Sequence, residues 1–160
     1  MIQAITESSF DVYINTEANR IDTSVASSQI RYLMKFTNDM DKSVQYAYST
    51  IHLVYDRYTK MSFTYNATPD IYTGALNLLP AGYWKYEAYE VSWTGTVTLS
   101  SGNAPVTEDD VLTPPAATKG IVQGLVTKGK MYIAEKGGTE QVQYTQRQEP
   151  TGTNYIYYGQ

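Results

Sequence analysis

Carboxylates are the residues of this 160-residue chain with the clearest capacity for chemistry. Two acids that flank a glycosidic bond can share its hydrolysis between them. Three sets lie close in sequence: Asp39 with Asp41, Glu87 with Glu90, and the run Glu108-Asp109-Asp110. Each set falls in a predicted turn, strand or linker, where solvated acids are ordinary. The carboxylates therefore do not predict a glycosidase.

Other catalytic and metal-binding groups are sparse. The one histidine, His52, stands in an apolar stretch without a Gly-x-Ser-x-Gly motif, and we expect a solvent-facing strand residue rather than a catalytic base. One histidine and no cysteine do not make a zinc site, and no glycine-rich phosphate loop is present. Asp109 and Asp110 lack the spacing of a calcium loop, which leaves only an opportunistic calcium site open. The sequence predicts no catalytic residues, no cofactor and no resident metal.

The charge balance narrows the range of partners. Twelve basic and sixteen acidic residues give a net charge of −4, and no long Lys/Arg run is present to follow a phosphate backbone. The first seven residues lack the basic start and apolar core of a signal peptide. No run approaches the roughly 20 apolar residues of a membrane span. We expect synthesis in a cytoplasm, without a nucleic-acid or membrane partner.

The elements that must position these residues are predicted to be short strands. Tyr32, Met34 and Phe36 alternate with polar neighbours at the period of two that a strand requires. Similar alternation occurs at residues 10–14, 44–48, 61–65, 76–78, 84–88 and 91–99. About seven strands at roughly ten-residue spacing predict an all-β fold, an immunoglobulin-like antiparallel β-sandwich.

One turn adds detail to this prediction. Residues 78–86 resemble the E–F corner of immunoglobulin-like domains, where a tyrosine begins the next strand. In that corner the tyrosine faces inward, whereas Tyr83 shares a face with the charged Lys85. Either the alternation of inward and outward residues shifts by one near Gly82, or the likeness is superficial. The alternation also changes phase between Glu90 and Val91, which predicts a turn or bulge.

The chain is predicted to have three parts. Residues 1–99 are the sandwich, residues 100–118 are a linker or long loop, and residues 119–160 are a C-terminal β-hairpin arm. The arm is close to the roughly 40-residue lower limit for independent folding, so it must pack on the sandwich or on another chain. Its large side chains are predicted interface residues: Tyr132, Tyr144, Tyr155, Ile156, Tyr157 and Tyr158.

Three blocks of the sequence resemble small structural proteins of crAss-like and related marine tailed bacteriophages. They are residues 31–39, residues 79–87, and residues 129–133 with 140–144. The resemblance implies an auxiliary or decoration protein of the capsid, or a head-fibre or tail component, which carries an immunoglobulin-like domain and no catalytic residues. It implies the major capsid protein or other virion proteins as partners, a possible homo-oligomer, and a place in the virion after assembly in the host cytoplasm.

A different class of function stays open beside this one. Sixteen tyrosines are an unusual number for the chain length. Exposed tyrosine rings can stack on sugars, so a carbohydrate-binding or adhesion module that recognises a host glycan is the alternative. It requires at least two exposed aromatic rings in a common plane.

Overall fold

The computed structural model describes residues 1–137 of the chain. Nearly all regular structure in that part is β-strand, joined by turns and two short 3₁₀ turns at Glu17–Asn19 and Ser27–Gln29. The strands are β1 (Ile2–Ile5), β2 (Phe10–Ile14), β3 (Ile30–Asn38), β4 (Val44–Tyr48), β5 (Ile51–Val54), β6 (Thr59–Tyr65), β7 (Ala75–Leu76), β8 (Gly82–Ser92) and β9 (Ile121–Ala134). The all-β prediction is confirmed.

Two sheets pack face to face. Sheet A has the strand order β1-β9-β8-β3-β4, and sheet B has the order β2-β6-β5, with β7 added beside β6. Pairing is antiparallel except where β1 runs parallel to β9 and β7 parallel to β6. In immunoglobulin letters the sheets read A′-G-F-C-C′ and B-E-D, which is the arrangement of a variable-type domain. The predicted immunoglobulin-like sandwich is therefore the observed one.

The main core lies between the sheets, on the faces that the alternation predicts. Tyr32, Met34 and Phe36 of β3 are buried, as are Trp84 and Ala88 of β8. Phe36 meets Phe63 of β6 edge to face at 5.6 Å between ring centroids. Strands with one apolar face bury it most effectively against a second sheet, so this pattern leads directly to a sandwich.

A second apolar cluster lies on the outer face of sheet A. Trp93 and Ala104 pack there with Leu33, Tyr48 and Val91, all of them buried. The strand predicted at residues 91–99 is wrong, because β8 ends at Ser92 and the chain then folds back over the sheet. Of the two predictions for residues 100–118, a linker or a long loop, the structure shows the long loop. It packs over this cluster through Ala104.

Close contacts hold that loop in place. The Tyr48 hydroxyl donates a hydrogen bond to the Pro105 carbonyl at 2.6 Å. Where the loop returns to β9, a Cβ added to Gly120 would lie 2.6 Å from the Trp93 ring, so glycine is needed for the close approach. The outer face of sheet A is thus covered by the loop at the end near Trp93 and, within residues 1–137, uncovered at the end that carries Tyr83.

The predicted C-terminal arm begins inside the sandwich. β9 lies between β1 and β8 in sheet A, and its Val126, Met131 and Ile133 are buried. A boundary at residue 119 would therefore cut through the domain. Gly129 stands between two lysines in a pattern typical of a turn, yet it lies within β9. Glycine is needed there because an added Cβ would lie 2.7 Å from the Tyr86 hydroxyl. The rest of the arm falls outside the described residues.

The corner before β8 differs from the immunoglobulin pattern. Tyr83 is 57% exposed, so it does not occupy the inward position of a tyrosine corner. Instead, the Trp84 indole N–H donates a hydrogen bond to the Pro80 carbonyl at 3.0 Å. The bulge predicted between Glu90 and Val91 is confirmed by a register shift there, and a second shift follows Ala88.

Candidate functional site

β5 is an open edge of sheet B. Its register with β6 places Ile51 and Leu53 on the outer face and His52 and Val54 on the inner face. Ile51 is 48% exposed, Leu53 44% and Val54 37%, and the strand contains no Asp, Glu, Lys or Arg. Natural edge strands are commonly protected by charge, proline or a cover. An uncharged edge with apolar side chains exposed on both faces favours the addition of another strand.

The other edges of the two sheets are different. β4 is covered by the segment before β7, since the Tyr48 N–H donates to the Ile71 carbonyl at 2.8 Å. β2 carries the charged Asp11, and β1 buries Ile2 and Ala4 against the core. Among the four sheet edges in the part of the chain that the structure describes, β5 is the one with apolar side chains exposed on both faces.

Exposed tyrosines lie on sheet B at the end near the β5–β6 turn. Tyr13 of β2, which is 56% exposed, approaches Tyr58 at 5.7 Å between ring centroids, and Tyr58 approaches Tyr55 at 4.9 Å with a 36° tilt. The Lys60 ammonium lies 5.8 Å from the Tyr13 ring and 2.9 Å from the Asp11 carboxylate. We call Tyr13, Tyr55 and Tyr58 the tyrosine cluster. It combines ring faces with charged hydrogen-bonding groups on one accessible surface.

Of the six predicted interface residues, Tyr132 is in the described part of the chain. It lies in β9, and its ring is 5.1 Å from that of Tyr83 on the open end of sheet A. Lys85 and Lys130 flank the pair, and both approach the Asp39 carboxylate. Tyr144, Tyr155, Ile156, Tyr157 and Tyr158 fall outside the described residues, so the structure does not place them relative to Tyr132.

The candidate acids at the surface serve structural contacts. Lys130 donates a hydrogen bond that lowers the pKa of Asp39, and the Ser43 N–H donates to Asp41 at 2.9 Å within the β3–β4 turn. Glu108 joins the loop to sheet A through Lys35 and Tyr46. The hydrogen bond to Glu108 raises the pKa of Lys35. These carboxylates hold turns and loops in place.

Glu87 and Glu90 do not form a catalytic pair. Glu87 lies on the outer face of sheet A, 3.9 Å from the Lys35 ammonium. Glu90 is buried on the inner side, where its carboxylate accepts the backbone N–H groups of Ile21 at 2.9 Å and Asp22 at 2.7 Å. The two carboxylates therefore face opposite sides of one sheet and cannot act on one substrate. Across residues 1–137 there is no group of three or more His, Cys, Asp or Glu residues arranged for a metal, and no helix suited to spanning a membrane.

His52 is half-buried, so the expectation of a solvent-facing residue is wrong. Its ring lies 5.5 Å from that of Tyr32, on the inner face of β5. Burial, assisted by the nearby Arg31 charge, lowers the pKa of His52 to about 4. The expected strand is present, but its pairing with β6, which could not be read from the sequence, turns His52 to the inner face beside Met61.

This depressed pKa predicts a pH dependence of stability. The folded state favours the neutral imidazole. The contribution of His52 to the free energy of unfolding is therefore fully present above the unfolded pKa of about 6.5. It is lost as the pH falls toward 4, by about 3 kcal/mol in the free energy of unfolding. We expect urea denaturation at pH 7 and pH 4 to show a smaller loss for His52→Phe than for the native chain. Equal losses in both proteins would contradict a role for this ring.

Comparison with known proteins identifies no family for this chain. No family model and no curated protein matches the chain. A solved structure of a provisionally assigned glycoside hydrolase from Bacteroides vulgatus is similar at 12% sequence identity and a TM-score of 0.36. The match covers 86% of this chain and 17% of that chain, so this chain spans less than a fifth of that protein. A similarity this low identifies neither a fold nor an activity here.

Proposed function

We propose that the protein is a non-enzymatic structural component of a bacteriophage virion, an auxiliary or decoration protein on the capsid. The observation that carries the proposal is the open, uncharged β5 edge with its exposed apolar side chains. Such an edge accepts a strand from another chain, with backbone hydrogen bonds giving affinity and alternate side chains giving register. Assembly by strand addition requires no catalytic group.

The resemblance to phage structural proteins supports this proposal. Residues 31–39 fall mainly in β3, residues 79–87 lead into β8, and residues 129–133 are part of β9. These three strands are neighbours in sheet A. The described parts of these blocks therefore lie on adjacent strands of one sheet, and residues 140–144 fall outside the described residues.

The proposed partners and location follow from the same role. The protein contacts the major capsid protein or other virion proteins, self-associates, and becomes part of the virion in the host cytoplasm. Its net charge of −4 favours neither nucleic acid nor an anionic membrane as a partner. The C-terminal segment, residues 138–160, is the proposed attachment device.

Binding to empty capsid shells tests this role. We expect the full chain to sediment with shells of the phage that encodes it, and the chain ending at Gly137 to stay in the supernatant. Tyr155→Ala with Tyr157→Ala should reduce shell binding at least tenfold, because it removes the large rings that a receiving edge would cover. Thermal unfolding of each variant checks that the sandwich remains folded.

A matched double variant controls for the loss of two tyrosines. Tyr13→Ala with Tyr58→Ala removes two exposed rings from sheet B and is expected to bind shells as the native chain does. Unchanged shell occupancy for the Tyr155 and Tyr157 double variant would refute attachment through the C-terminal segment.

The tyrosine cluster favours a second candidate function, binding of a saccharide. The Tyr55 and Tyr58 rings are tilted by 36° and do not share the common plane expected for such a module, so a sugar would stack on one ring at a time. The Asp11–Lys60 ion pair beside the cluster offers hydrogen bonds to hydroxyl groups. A glycan array probed with the native chain and with the Tyr13 and Tyr58 double variant separates the two candidates. Glycan binding that the double variant lacks would establish the saccharide role, which decoration proteins can combine with attachment.

A further inference from the structure

We infer that the outer face of sheet A, at the end that carries Tyr83, binds an acidic saccharide with carboxylate or sulfate groups. The site lies on the other sheet from the β5 edge and the tyrosine cluster, so it depends on neither of the proposed functions. It is a groove of about 680 Å³. We call it the lysine groove, after the charged residues that line it, which are four lysines and one glutamate: Lys35, Lys85, Lys128, Lys130 and Glu87.

The register of β8 with β9 brings positive charges together in the lysine groove. Lys85 lies directly opposite Lys130, and like charges in opposed positions destabilise a sheet. Both side chains are more than half exposed. Asp39 approaches both, at 3.9 Å from the Lys85 ammonium and in hydrogen-bond contact with that of Lys130. Two ammonium groups thus share one carboxylate, and a second anion is attracted to the same place.

Lys128 extends the positive charge along β9. Its partner across the register is Glu87, but the Glu87 carboxylate approaches the Lys35 ammonium at 3.9 Å. Lys128 therefore has no ion pair among residues 1–137. Residues on one face of a strand are about 7 Å apart and neighbouring strands about 5 Å apart, so one anionic group can contact Lys85, Lys128 and Lys130 together.

A pair of tyrosines continues the same face beyond the lysines. Tyr83 lies opposite Tyr132, with 5.1 Å between the ring centroids, and each is two residues from a lysine of the groove. The exposed Tyr83 ring gives a sugar an apolar surface on which to stack. Tyr132, one of the predicted interface residues, is thereby placed beside a ligand site.

The mixture of charges in the groove favours a saccharide over a nucleic acid. Sugar hydroxyl groups donate hydrogen bonds, which the partly exposed Glu87 carboxylate and the Thr37 hydroxyl can accept beside the lysines. Phosphate groups repeat a negative charge at every nucleotide and offer no donor to that carboxylate. An acidic saccharide carries both kinds of group, the anion and the hydroxyl.

Calorimetric binding of acidic sugars to the full chain tests the inference. The probes are sialyllactose and sulfated lactose, each compared with lactose, and trigalacturonate, compared with its methyl ester. We expect at least one acidic probe to bind at least tenfold more tightly than its neutral counterpart, and to bind more weakly at high salt. The three probes distinguish carboxylate from sulfate. Equal binding of acidic and neutral probes, or no binding of any acidic probe, would overturn the inference.

Substitution of the opposed lysines locates the site. Lys85→Gln with Lys130→Gln is expected to weaken binding of the acidic probe at least tenfold, because it removes both ammonium groups beside Asp39. Arg57→Gln with Lys136→Gln is the matched control, since it removes the same charge from two exposed residues outside the groove. Binding that survives in the lysine variant, or that falls equally in the control, would contradict the assignment.

Single substitutions keep the test independent of folding. Lys128→Gln removes a charge without breaking an ion pair in the described part of the chain, and Tyr83→Ala removes an exposed ring. We expect each to weaken binding of the acidic probe, whereas Tyr13→Ala with Tyr58→Ala leaves it unchanged. The opposite result would place the sugar on the tyrosine cluster and overturn the inference. Shell binding by these variants is expected to match the native chain, so failure of the groove leaves the proposed function intact.

Discussion

A chain that ends at Thr118 is expected not to fold, whereas a chain that ends at Gly137 is expected to retain the sandwich. The first lacks β9, which pairs with both β1 and β8 in sheet A. Burial of Met131 and Ile133 alone contributes about 4–5 kcal/mol, before the strand pairing is counted. Domains of this size are stable by only about 5–15 kcal/mol in total, so the loss removes most or all of the stability.

Circular dichroism and urea denaturation of the two shortened chains measure this difference. We expect the chain ending at Gly137 to unfold cooperatively and the chain ending at Thr118 to show no unfolding transition. A cooperative transition in the shorter chain would mean that β9 is dispensable and that residues 1–118 form the domain.

Glu90→Ala is expected to be the most damaging single change to a polar group. Its buried carboxylate accepts two backbone N–H groups, from Ile21 and Asp22, and so holds the β2–β3 connection against β8. Hydrogen bonds to a charged group contribute about 1.5–3 kcal/mol each, and both backbone donors would lose that partner. We expect the free energy of unfolding to fall by about 3–5 kcal/mol, as measured by urea denaturation.

Glu87→Ala is the matched control on the same strand. Glu87 lies on the outer face, half-buried, and approaches the Lys35 ammonium at 3.9 Å. A partly exposed ion pair of this kind contributes at most about 1 kcal/mol. Similar losses for the two alanine variants would show that the buried backbone contacts of Glu90 are not what stabilises the connection.

The sandwich could be predicted wherever one strand face is apolar and the other polar. β3 and β8 have this pattern, so their buried residues followed from the alternation. β9 does not have it, because Gly129 between two lysines resembles a turn while serving to make room for Tyr86. Glycine in a strand is required by a neighbour across the sheet, and a single sequence does not reveal that neighbour.

The candidate site could be predicted only in part. The sequence indicated a tyrosine-rich C-terminal segment that needs a partner, but not the edge that could receive it. Ile51–Val54 lacks alternation because, at an open edge, side chains on both faces remain exposed. The uncharged run just before Asp56 was the available signal. Its meaning depends on strand order, which arises from long-range pairing.

The most direct test of the account is light scattering of the full chain and of the chain ending at Gly137. The central claim is that residues 138–160 join a sandwich that folds without them to a neighbouring copy. The account predicts a defined oligomer for the full chain and a folded monomer for the shortened chain. Two folded monomers would contradict the claim, as would two oligomers of the same size.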